Sequence, residues 1–362
     1  MSSGSWDSRL NSSASLPARV ALAAACVVVL AGCGGASKTG SSSTPSTSST
    51  ASAAPAPTST VSTAAQPPAV NELAAAADPR ASEFPRANGR SLVQLARLVN
   101  ATATLGAATG TFTPGIRRLA FALTDKAERY IYAPTAVYLA PSPTSPAQGP
   151  FLAPADSMSV APQYRSQQNA GPGGIQAIYW TELPVARSGV FDLLALTRAG
   201  SKLIGSTGEI AAAVSTPIPG VGQRPPAITT ETLASVHGDV GLLTTRLPPE
   251  QMHSVSFNQV LGKRPIALLF STPELCTSRV CGPVTDIVVE LQHQFANRIT
   301  FIHQEIYVDN DPTKGLRPQL AAFHIETEPW LFTINRQGVI AARLEGAFGV
   351  DEARQALEAA LR

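Results

Sequence analysis

The chain has 362 residues, enough for two domains and a remainder at roughly 150 residues each, and charged residues make up only 14% of it against about 25% in ordinary soluble domains. A net charge of +2 gives no general electrostatic reason to bind nucleic acid, and a single apolar run near membrane length excludes a polytopic membrane protein. Four Cys and five His, widely scattered, contain neither a repeated CxxC nor an HExxH, so neither a zinc-ribbon nor a zincin site is expected.

Residues 1–19 are polar and carry Arg9 and Arg19, and an apolar stretch of thirteen residues follows, Val20 to Gly32. Crossing a bilayer takes about 20 apolar residues, whereas this length is that of a signal-peptide core. The run closes on Leu30-Ala31-Gly32-Cys33, which resembles the lipobox of bacterial lipoproteins. The resemblance implies cleavage before Cys33, acylation of Cys33, and attachment to the extracytoplasmic face of a cell membrane. Several buried acyl chains, at about 0.8 kcal/mol per CH₂, would hold such a protein firmly.

Residues 34–82 are dominated by Ser, Thr, Ala and Pro. Such a composition buries too little apolar surface to offset its ordering entropy, and it reads as a disordered tether. From 83 to 248 the pattern becomes one of short β-like runs separated by Gly and Pro, after an apolar stretch Leu92–Val99 that reads as helical. The runs are Arg118–Leu123, Ala136–Leu139, Ile175–Trp180, Gly189–Thr197, Lys202–Ile204 and Glu209–Val214. Strands of this length between turn residues predict an antiparallel β-sandwich, and the order of runs looks immunoglobulin-like. No Cys–Trp–Cys signature is present, so Trp180 is the expected core filler. Tyr164, Arg165, Glu182 and Arg198 are isolated polar residues that form no catalytic constellation, and residues 218–226 read as a linker.

The chemistry concentrates in residues 249–362. Ile266–Phe270 is a continuous apolar run, as in a buried central strand. A loop with Cys276 and Cys281 follows, and then Val284, Ile287, Val288, Leu291 and Phe295 lie on one helix face. Pro283 suits a first helical turn. Ile299–Val308 predicts a strand, Leu316–Phe323 a short helix, Trp330–Ile334 and Val339–Leu344 a hairpin, and Asp351 the N-cap of a last helix.

The order β-α-β-α-β-β-α resembles the thioredoxin fold over about 110 residues. So do the cysteine pair after a central strand, the Cys281-Gly282-Pro283 run, and Thr327-Glu328-Pro329 at the place of the family's cis-proline loop. The resemblance implies thiol–disulfide exchange through Cys276 and Cys281, with Glu328, Pro329 and Trp330 meeting the substrate, no cofactor and no resident metal. An exported protein or a redox partner would be the substrate, and the oligomeric state is left open. A thiolate is the attacking species, and a helix N-terminus stabilises it. The spacing departs from the family, being Cys-x4-Cys. Alignment on Gly-Pro makes Cys281 the attacking, lower-pKa thiol, whereas distance from the strand makes it Cys276; the former is preferred. The family's buried acid is replaced by Leu269, leaving Glu274 or Glu328 as proton shuttles. Two other readings stand beside this one. In the first, Cys276–Cys281 is a structural disulfide in a non-catalytic cell-envelope binding lipoprotein. In the second, a copper-delivery protein adds His303 or His324 to the two thiols.

Overall fold

A computed structural model describes residues 70–171 and 173–362. The apolar run at 20–32, Cys33 and the tether up to residue 69 lie outside the described residues. No helix among the described residues is long and apolar enough to cross a membrane.

Residues 70–82, expected to continue the tether, instead hold helix α1 (Val70–Ala77) and a 3-10 turn. Leu73 and Ala76 are one helical turn apart and pack into the core of the sheets that follow, which is what orders this segment. Helix α2 (Leu92–Ala96) starts at Ser91, whose hydroxyl accepts the Gln94 N–H while Gln94 caps back on the Ser91 N–H at 2.9 Å.

Nine strands come next: β1 (Ala101–Thr102), β2 (Thr104–Ala107), β3 (Gly115–Thr124), β4 (Thr135–Ala140), β5 (Gln148–Leu152), β6 (Ala155–Ser157), β7 (Ala177–Val185), β8 (Gly189–Ala199) and β9 (Lys202–Ala212). They form two sheets, ordered β1-β9-β8-β4-β5 and β2-β3-β7-β6. Alternation along the strands explains how the sheets meet. Leu119, Phe121 and Leu123 of β3 share a core with Val137 and Leu139 of β4 and Leu193 of β8. The opposite face of β4 and β8, with Tyr138 and Leu196, is covered by Phe84, Leu92 and Leu95. That double cover is why every residue of β4 is buried.

Two expectations change here. Lys202–Ile204 and Glu209–Val214 are not two strands: residues 202–212 form the single strand β9, because the intervening Gly205-Ser206-Thr207-Gly208 stays in register with Leu196 to Leu193 of β8, and Val214 lies beyond its end. Gly205 lets Val99 sit against the backbone, since a Cβ there would lie 2.7 Å from a Val99 methyl. Trp180 does not fill the space between these sheets. It points to the other face of β7, toward the C-terminal core, while Tyr179 beside it stacks on Phe121 at 5.4 Å between ring centroids.

Beyond residue 248 come α3 (Phe257–Val260), β10 (Ile266–Phe270), α4 (Cys281–Phe295), β11 (Thr300–Gln304), α5 (Pro318–Phe323), β12 (Trp330–Ile334), β13 (Ile340–Glu345) and α6 (Val350–Ala360). Their sheet is ordered β11-β10-β12-β13, with β10 and β11 parallel and the other pairs antiparallel. One face, with Ile266, Leu268 and Phe270, packs on Phe257 and on Leu320 and Phe323 of α5. The other, with Ala267 and Leu269, packs under α4 and α6.

The same C-terminal core takes in Ala120 and Ile178 from β3 and β7. All described residues fall within one compact unit. Arg118 of β3 pairs with Glu352 of α6, its Nη2 lying 2.7 Å from Glu352 Oε2. Asp351 is not the N-cap of α6; Gly349 is. The capping carboxylate comes from Asp156 of β6, which accepts the Asp351 and Glu352 N–H groups at 3.1 and 2.7 Å.

Candidate functional site

Strand β10 delivers the chain at Phe270 into a loop that runs Ser271 to Val280 and returns as α4. The apolar face expected of this helix is the face buried: Val284, Ile287, Val288, Leu291 and Phe295 all lie in the core. Cys281 is the first residue of α4 and Cys276 sits in the loop before it. Both stand as free thiols. Their two Sγ atoms and a carboxylate oxygen of Glu328 all lie within 4.8 Å of one another. The Glu328–Pro329 bond is cis.

The two thiols are not equivalent. Cys276 is 6% exposed and Cys281 is fully buried. The hydrogen bond from the Cys281 thiol is the largest influence on Cys276 and holds it down to about 5, against burial. The Ser278 hydroxyl, 3.1 Å from Cys276 Sγ, and the N–H groups of Cys281 and Val280 act in the same direction. Burial pushes Cys281 well above the ordinary thiol range, and the neighbouring charge of Cys276 adds to this. The preference for Cys281 as the low-pKa thiol is therefore reversed: its place at the start of a helix is outweighed by complete desolvation. Arg279, which lies between the two cysteines, is exposed and is not among the groups that lower Cys276.

Glu328 is half-buried, and burial followed by the Cys276 charge raises its pKa. Pro329 is buried, with its carbonyl accepting the Gly346 N–H at 2.8 Å. Trp330 was expected to meet substrate but is 1% exposed. It stacks on Phe332 at 5.7 Å, bonds Thr327 through Nε1, and carries the Arg343 guanidinium over its ring. A β12 position that points into a covered face leaves it a support for the Glu328 loop. Glu274 is exposed, with its N–H bonded to Thr245 Oγ1 at 3.1 Å.

The structure adds groups that spacing did not reveal. Glu305, at the end of β11, is buried, and burial raises its pKa. Its Oε1 accepts the Thr245 N–H and hydroxyl, both at 2.7 Å, while its Oε2 has no hydrogen-bond partner. Tyr307 feels the charges of Glu328, Cys276 and Cys281, after burial, and its pKa is raised. Only an acid ending an apolar strand signalled Glu305 in the sequence.

Beneath the thiols lies a polar layer. Ser271 and Thr285 bond one another at 2.9 Å, and Thr285 donates to the Cys281 carbonyl at 2.8 Å. His303 bridges the Ser271 carbonyl at 3.0 Å and Glu250 Oε1 at 2.5 Å, and His253 reaches the same oxygen at 2.7 Å. With Nε2 facing a carbonyl, His303 must also hold a proton on Nδ1 if the carboxylate is ionised. The raised pKa of His303, set by Glu250 against burial, agrees with this. His253 and His303 with Glu250 form a metal-competent trio, and Cys276 and Cys281 with Glu328 form a second. Neither His303, committed to Glu250, nor His324, exposed at the end of α5, joins the thiols. The third group beside the sulfurs is Glu328.

One wall of the site comes from the segment between β6 and β7. Ser166, through its N–H and hydroxyl, and Asn169 donate to Asp286 Oδ2 of α4 at 3.0, 3.1 and 3.0 Å. Arg246 holds Asp286 Oδ1 at 3.0 Å and the Tyr164 carbonyl at 2.7 Å. A Cβ at Gly282 would run into the backbone carbonyl of Gln168, so the glycine of Cys-Gly-Pro is required by this close approach. Between the wall and the cysteine loop is a cavity of about 700 Å³ that Cys276 lines. Comparison with known proteins finds no matching family model and no matching curated relative.

Proposed function

We propose that this is an extracytoplasmic, lipid-anchored thiol–disulfide exchange protein in which Cys276 attacks and Cys281 resolves. The observation that carries the reading is the pair itself. Two free thiols lie within 4.8 Å, one held down to about 5 and partly accessible, the other buried and pushed up. Exchange needs a thiolate that can be reached and a second thiol that stays protonated until the first has reacted. The sheet order β11-β10-β12-β13, with α4 leaving β10 through the cysteines, supports a thioredoxin-like fold for residues 249–362. The two sheets facing across a shared core support an immunoglobulin-like β-sandwich before it. The lipobox ending at Cys33 supports the anchor.

In the reaction the Cys276 thiolate attacks a substrate disulfide, forms a mixed disulfide and releases one substrate thiolate. Cys281 gives up its proton, attacks the Cys276 sulfur and releases the second. The dithiol loses two electrons and the substrate disulfide gains them. A protonated Glu328 can supply a proton to the departing thiolate, and its carboxylate can then accept one from Cys281.

The test is to equilibrate the protein in glutathione buffers of set potential, trap the thiols and weigh the products. Reversible cycling of both cysteines above about −250 mV is expected, Cys276→Ser should abolish exchange, and Cys281→Ser should accumulate a mixed disulfide on Cys276. A pair that stays oxidised below about −300 mV is a structural disulfide and would overturn the reading.

A further inference from the structure

We infer that the cavity beside Cys276 is a binding site for a small, zwitterionic, peptide-like disulfide, and that the segment 164–171 excludes folded proteins from the thiol. The inference rests on Cys276 being the attacking thiol and narrows the substrate expected from sequence, an exported protein. Three observations carry it.

Cys276 is 6% exposed and lines a cavity of about 700 Å³. Pockets for small ligands run from about 300 to 1,000 Å³. A folded partner presents a disulfide on a convex surface, and bringing its sulfur onto a thiol this buried requires the wall to give way.

The wall is anchored. Three donors from Ser166 and Asn169 converge on Asp286 Oδ2, and Asp286 is buried against Arg246. Gln167 N–H bonds the Leu247 carbonyl at 2.8 Å, and Leu247 N–H returns to Gln168 Oε1 at 2.9 Å. Lifting the segment off α4 would strip a buried carboxylate of its donors, which is costly.

The lining is polar and, beside the Cys276 thiolate, carries one charged side chain of each sign. Glu274 and Arg279 are both exposed and lie on the cysteine side, and Gln167 faces them from the wall. A cation and an anion across one small cavity match a compound with its own ammonium and carboxylate, and amide groups match a peptide bond. The step is balanced as above: such a disulfide RSSR takes two electrons from the Cys276 thiolate and the Cys281 thiol, Cys276 and Cys281 become joined, one R sulfur leaves with the Cys281 proton as RSH, and the other leaves as a thiolate that takes its proton from water.

The experiment uses the full chain, reduced and then stopped by rapid alkylation after exposure to three disulfides. Glutathione disulfide is the zwitterionic probe, hydroxyethyl disulfide the uncharged one, and insulin the folded protein. Glutathione disulfide should oxidise the pair at least tenfold faster than insulin. In Arg279→Gln the rate ratio of glutathione disulfide to hydroxyethyl disulfide should fall at least fivefold. Equal or faster oxidation by insulin would overturn the inference while leaving the exchange reading intact, as would an unchanged ratio in the variant. No oxidation by any of the three would overturn both.

Discussion

Cys276 and Cys281 are five positions apart and chemically opposite, and the difference comes from the donors gathered around Cys276 and from the fuller burial of Cys281. The Cys281 thiol donates to Cys276 and so holds it down to about 5, while its own full burial keeps it protonated. The sign of the pH dependence follows. The Cys276 thiolate fraction grows as pH rises through about 5, so alkylation by iodoacetamide should climb there and be flat above about pH 7, where an ordinary thiol near 8.5 is still climbing. In Cys281→Ala the donor is gone, and the midpoint of that profile should move upward. An unmoved midpoint would show that the Ser278 hydroxyl and the backbone N–H groups suffice. The residue pattern showed that two cysteines bracket a helix start. It did not show which is buried, because burial is set by neighbours the fold brings in: Gly282, beside Cys281, lies against the backbone of Gln168, more than a hundred positions earlier in the chain.

At the scale of elements, the strongly periodic segments were legible and their ends were not. Helix α4 buries the five apolar positions expected of it, and β10 lies in the centre of its sheet as a continuous apolar run should. The N-terminus of α6 shows the opposite case. Asp351 has the right chemistry for a cap, yet Asp156 performs that role from β6. A capping side chain satisfies orphan N–H groups wherever it comes from, so local sequence cannot choose between them. Replacing Asp156 by Ala should cost about 0.5–2 kcal/mol and lower the thermal midpoint by a few degrees, and Asp351→Ala should cost less. A larger loss at Asp351 would return the cap to the local residue.

At the scale of the whole molecule, the β-rich residues before 248 and the α/β residues after it share one core. Ala120 and Ile178 pack with Val284, Ile287 and Leu357. Arg246 lies on the stretch between the two halves and holds Asp286 of α4, the Tyr164 carbonyl and the Pro248 carbonyl together. Its side chain is 4% exposed and that of Asp286 is 0%. Removing one partner of such a buried pair leaves an uncompensated charge. Arg246→Met should therefore cost about 3–5 kcal/mol in urea unfolding, and alkylation of Cys276 should quicken as segment 164–171 loosens. A loss below about 1 kcal/mol would mean that water already reaches the pair.

The sequence by itself determined that a cysteine pair stands before a helix in the C-terminal third and where the strongly periodic helices and strands lie, since both depend on short-range spacing. A cysteine pair, a Gly-Pro run and an apolar period of 3.6 or 2 residues are visible within about fifteen positions. Only the tertiary structure decided which thiol is accessible, that Trp330 supports the Glu328 loop from within the core, and that an unrelated segment walls the cavity. It also placed Glu250, His253 and His303 in one buried cluster and left Glu305 with an unpartnered oxygen near the cysteine loop. Each of these is a contact between residues distant in the chain. Burial and hydrogen bonding set the pKa values at the site, and both are properties of the packed neighbourhood that local spacing does not carry.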